Sequence, residues 1–91
     1  LEQNFPNPFN PTTTIKYALP VDARVTVAVY TMLGQRVQTL VENELQAAGF
    51  RALEFNASAL ASGIYFYRID AVSTSDPNLR FTKIRKMVLL K

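Results

Sequence analysis

Ninety-one residues without one Cys or His exclude disulfide staples, thiolate chemistry, and the commonest zinc ligand and general base. An apolar share of 48% is enough for one modest core, and no apolar run approaches the ~18 residues of a membrane-crossing helix. The net charge of +3 is uneven: Arg80, Lys83, Arg85, Lys86 and Lys91 stand together with no acid among them, so residues 1–79 hold five bases against seven acids.

The chain opens on Asn4-Phe5-Pro6-Asn7-Pro8-Phe9-Asn10-Pro11. Each proline fixes its own φ, lacks an N–H and pushes its predecessor toward extended geometry. Residues 1–12 are therefore expected to form a stiff, extended lead-in from a preceding domain, and residues 13–91 the folded unit. Thr14–Leu19 is the first strand, with Ile15, Tyr17 and Leu19 on one face and Pro20 closing it. Arg24–Tyr30 follows, its Val25, Val27 and Val29 giving the clearest period of two in the chain. Gly34 supplies the positive φ of a hairpin turn, and Arg36–Glu42 is the return strand. Asn43–Gly49 is a polar connection, too short for a stable helix. Phe50–Phe55 is the next strand, and Asn56–Gly63 is a loop from which Leu60 plugs the core. Ile64–Ile69 puts Tyr65, Tyr67 and Ile69 on one face and Ile64, Phe66 and Arg68 on the other; Tyr65 is placed for a tyrosine-corner contact. After a turn at Thr74–Asn78 the last strand runs from about Arg80 to Leu90. Apolar residues occur there on both parities, which leaves the facing of residues 81–90 open. Short strands at even spacing without a helix predict an all-β fold, an immunoglobulin-like antiparallel β-sandwich of about seven strands.

Little in this sequence supports catalysis. The carboxylates Glu2, Asp22, Glu42, Glu44, Glu54, Asp70 and Asp76 are scattered over strand ends and loops, and no Asp-x-Asp-x-Asp spacing marks a calcium loop. No cofactor and no metal is expected. The aromatic run Tyr65-Phe66-Tyr67 would make a sugar platform only if exposed, and alternation buries one face of it. The basic C-terminal strand lacks the stacking aromatics and recognition helix of a nucleic-acid reader, so no nucleic-acid partner is expected; Lys and Arg there suit edge protection. Edge protection does not account for Met87-Val88-Leu89-Leu90, a segment apolar enough to be docked on both faces or to await a partner.

Four motifs in order carry a family likeness. Asn4–Ile15, Val29-Tyr30 with Leu33-Gly34-Gln35, Leu60-Ala61-Ser62-Gly63-Ile64-Tyr65-Phe66-Tyr67 and Lys86–Lys91 together resemble the type A C-terminal sorting domains of the type IX secretion system. The fold alone would not separate these from the related module of flagellar hook-capping proteins. Thr31 departs from the Asp or Asn frequent in the family, which bears on hairpin stability. The resemblance implies a non-catalytic sorting signal at the C-terminus of a larger exported protein, carried through the periplasm to the cell surface or medium. Its implied partners are the N-terminal cargo domain, the outer-membrane translocon and a cell-surface sortase. Translocon recognition would fall to Lys86, Met87, Val88, Leu89, Leu90 and Lys91, while Pro8, Pro11, Gly34, Gly63 and Tyr65 would be architectural. An apolar last strand with unpaired edge groups would add to a receptor's sheet, and would also allow self-association through edge strands. The rival readings are a structural or adhesive spacer and an accessory carbohydrate-binding domain of an extracellular enzyme.

Overall fold

The computed structural model describes residues 1–91. It has six strands and no helix: β1 (Thr12–Leu19), β2 (Ala23–Thr31), β3 (Arg36–Gln46), β4 (Gly49–Asn56), β5 (Gly63–Ser73) and β6 (Arg80–Leu89). β1 and β4 form a two-stranded antiparallel sheet, and the other four form a second in the order β3-β2-β5-β6. The two sheets pack face to face as a β-sandwich.

The alternating sequences decide which side of each strand is inside. Val25, Val27 and Val29 of β2 are completely buried, as are Ile15 of β1 and Tyr67 of β5. One cluster gathers Phe9, Ile15, Phe55, Tyr67, Met87 and Leu89; a second gathers Tyr17, Leu19, Val25, Val27, Val41 and Ile69. Leu1, Leu40 and Leu53 pack against both clusters.

The strand count is six rather than seven, and two features explain it. The return strand does not stop at Glu42 but continues to Gln46, absorbing most of the polar connection. Register shifts in the β2–β3 pair and a positive φ of 46° at Asn43 accommodate the extra residues. The lead-in forms no seventh strand and makes only isolated bridges, Phe5 to Thr14 and Phe9 to Leu89. Prolines 6, 8 and 11 cannot donate to a ladder, so no continuous strand forms there.

The lead-in is nevertheless folded onto the sandwich. Asn4 and Phe9 are 2% exposed. Asn4 Nδ2 donates to Thr13 Oγ1 (3.0 Å), and the Thr13 hydroxyl donates to the Pro6 carbonyl (2.8 Å). Phe5 exchanges both backbone bonds with Thr14 on the edge of β1. Phe9 does the same work on the edge of β6. Residues 2–9 thus bridge the two sheets along one side of the sandwich.

Tyr67 is the hinge pin of that arrangement. Its hydroxyl accepts from the Asn4 backbone N–H (2.8 Å) and donates to the Glu2 carbonyl (2.6 Å). Burial pushes the phenol above its ordinary value, against the opposing pull of the Asn4 hydrogen bond and the Arg85 charge. Tyr17, which donates to Gln46 Oε1 (2.6 Å), is raised for the same main reason. A phenol whose folded pKa is raised keeps its proton where the unfolded chain has lost it, so stability is level below pH about 10 and falls as pH rises further. We expect Tyr67→Phe to cost about 1–3 kcal/mol in urea melts, because it leaves a buried donor and acceptor unpaired. The variant should also flatten the alkaline decline above pH about 10. An unchanged alkaline slope would show that Tyr67 does not carry it.

Candidate functional site

The six C-terminal residues divide by parity. Met87 and Leu89 point inward and are completely buried. Lys86 is exposed, Val88 half-buried and Leu90 55% exposed, all on the outward parity. The register of β6 with β5 is unbroken from Arg80 against Val72 to Leu89 against Gly63, so no bulge intervenes and the facing of residues 81–90 follows a simple alternation. Lys91 ends the segment with its backbone N–H on Ser62 Oγ (2.9 Å) and its ammonium on the Ser58 carbonyl (2.6 Å).

The expected unpaired edge is absent over these residues. The carbonyl of Lys86 accepts from Gln3 Nε2 (2.6 Å), and the Val88 N–H donates to Asn7 Oδ1 (2.9 Å). Phe9 donates its N–H to the Val88 carbonyl and accepts from the Leu90 N–H, both at 3.0 Å. The lead-in therefore occupies the position an added receptor strand would take. Sequence reasoning missed this because the partner groups come from residues roughly eighty positions away, and nothing in a proline-rich segment marks Asn4 and Phe9 for burial.

The residues expected to be architectural lie near turns and junctions. Gly34 has φ of 86° in the β2–β3 hairpin, and its N–H closes the turn on the Thr31 carbonyl (3.0 Å). Open space surrounds its missing Cβ, so the backbone conformation and not crowding selects glycine. Gly63 begins β5 opposite Leu89. The Tyr65 hydroxyl donates to the Ala61 carbonyl (2.6 Å), a contact of the tyrosine-corner kind that ties the loop before β5 to the core. Pro11 offers its carbonyl to Ala57 N–H (2.8 Å), while Pro8 is exposed. Tyr65 and Tyr67 are buried and form no ring platform; Phe66 lies half-buried on the opposite face.

The surface around the terminal segment is basic. Arg85 Nε donates to the Leu1 carbonyl (3.1 Å), joining the two ends of the chain, while Lys83 and Lys86 remain exposed. The arrangement is a pinned strand with alternating inward anchors and outward side chains.

Comparison with family models matched residues 3–78 to one described as the secretion system C-terminal sorting domain. The matched span takes in the lead-in and β1 to β5; β6 and the terminal segment lie beyond it. Comparison with curated proteins and with solved structures gave no match.

Proposed function

The chain belongs to the family of secretion system C-terminal sorting domains, and from that membership we propose how it sends its cargo out of the cell by the type IX system. The sorting domain acts as a non-catalytic address read by the outer-membrane translocon during passage from the periplasm. A cell-surface sortase then acts on the cargo ahead of it. The outward side chains Lys86, Val88 and Leu90, with the exposed terminal Lys91, are the part that is read, and Met87 and Leu89 hold the strand in register. The observation that carries this reading is the parity split of the terminal segment: two completely buried anchors between side chains that face out.

Because the backbone edge at residues 86–90 is already paired with the lead-in, side-chain recognition is the primary mode. Strand addition at this edge would first require the lead-in to leave.

The test is a fusion of residues 1–91 to a periplasm-directed fluorescent protein in a host with a type IX system. The intact fusion is expected at the surface or in the medium. The double variant Leu90→Asp, Lys91→Glu changes two exposed residues and is expected to stay in the periplasm with its fold intact. Export of the double variant at the intact level would overturn the assignment to these side chains.

A further inference from the structure

The outer face of the four-stranded sheet carries an apolar patch that neither the core nor the terminal segment explains. Cross-strand rows set its layout. Tyr30 lies opposite Phe66, which lies opposite Lys86; Arg68 lies opposite Ile84; Ile64 lies opposite Val88. With Met32 in the adjoining hairpin these make one continuous surface. Met32 is 67% exposed, Ile84 58% and Ile64 37%. A shallow open groove is lined by Tyr30, Met32, Phe66, Arg68 and Ile84. An isolated exposed apolar side chain needs no explanation, but an ordered patch across three strands does.

Its charge is one-sided. β2, β5 and β6 place Arg24, Arg68, Arg80 and Lys86 on this face against a single acid, Asp70. That carboxylate is already held by Arg68 (2.8 Å) and by the Thr82 hydroxyl (2.8 Å). Arg36 adds a further cation above the Tyr30 ring, 5.5 Å from its centroid. A partner with carboxylates around an apolar centre would meet a net positive rim of Arg24, Arg36, Arg80 and Lys86, the charge of Arg68 being offset by Asp70.

We infer that this face is a second recognition surface, for a folded protein whose contact area is apolar at its centre and acidic at its rim. The inference rests on the sorting-domain reading and extends it: Lys86 and Val88 belong both to the terminal segment and to this face, so one partner can cover the two together. The occupant is a protein surface rather than a lipid one because Ile64, Phe66, Ile84 and Val88 are set among the cations across adjacent strands of the sheet, with only Met32 in the hairpin. Shallowness equally argues against a small-molecule ligand.

The same fluorescent fusion tests it, with Ile84→Glu, Met32→Glu and the neutral Ile84→Ser on this face, and Phe50→Glu on the other sheet as control. Ile84 and Met32 both line the groove, whereas Phe50 lies on the other sheet and is 90% exposed. Melting of the purified domains establishes that each variant is folded. Export is expected to fall about tenfold or more for Ile84→Glu and Met32→Glu, less for Ile84→Ser, and not at all for Phe50→Glu. Export of Ile84→Glu and Met32→Glu at the intact level overturns this inference alone, since the reading of the terminal residues is judged on Leu90 and Lys91. Retention of the intact fusion, in a host exporting its own cargo, overturns the sorting reading and this inference with it. Binding of the intact domain, but not of Ile84→Glu, to phosphatidylglycerol vesicles would replace the protein partner with a membrane.

Discussion

Deletion of Lys86–Lys91 is expected to unfold the domain, not merely to erase a signal. The deletion removes Met87 and Leu89, both completely buried in the cluster that also holds Phe9, Phe55 and Tyr67. Removing a large buried side chain costs about 2–5 kcal/mol, and two such losses approach the 5–15 kcal/mol that holds a whole domain together. The hydrogen bonds that Phe9 donates to Val88 and accepts from Leu90 disappear as well, leaving the lead-in without its second anchor. A truncated domain should show no cooperative thermal transition. The double variant Leu90→Asp, Lys91→Glu should melt within about 5 °C of the intact domain, as surface substitutions usually do. Loss of export on truncation therefore cannot separate a missing address from a missing fold, whereas the double variant can. A truncated domain that still melts cooperatively near the intact temperature would show that the terminal strand is dispensable to the core.

Replacement of Phe9 by Ala is expected to have the next largest effect, about 3–5 kcal/mol, from loss of a buried ring. Phe9 is 2% exposed and lies 6.0 Å from the Phe55 ring, tilted by 53°. Its backbone also bonds to Val88 and Leu90, the residues on either side of Leu89. The loss should be local as well as global. Amide exchange at Val88 and Leu90, whose N–H groups bond to Asn7 and Phe9, should quicken more than exchange in β2 and β5. Uniform quickening across the domain would mean that Phe9 contributes only to the core and does not hold the tail.

Much of the sandwich was legible because alternation and burial agree. Val25, Val27 and Val29, and Tyr65, Tyr67 and Ile69, lie on the inner faces that their period of two required, and Gly34 turns the hairpin it was assigned. The facing of β6 was not legible, for a reason the structure makes plain. Its inward parity serves the core through Met87 and Leu89, while its outward parity is also apolar at Ile84 and Val88, and two apolar faces carry no period. The extension of β3 past Glu42 was hidden by polar residues on an exposed edge strand, where no burial pattern is imposed. The folded state of the lead-in was least accessible. Its prolines forbid a regular strand, but Asn4 and Phe9 are recruited by Tyr67, Val88 and Leu90, all distant in sequence, with Thr13 as the one nearby partner.

The bridge between Phe9 and Leu89 is parallel, and this bears on how the domain responds to force. Tension applied to Leu1 and Lys91 in opposite directions would slide the lead-in lengthwise past β6. The Val88 and Leu90 contacts to Phe9, with the Gln3 contact to Lys86, would then share the load in shear and yield together. A sideways pull on the tail alone would load the same contacts one at a time, from Leu90 inward. The domain should accordingly resist being stretched between its ends, yet release its last strand to a receptor that peels it from the tip.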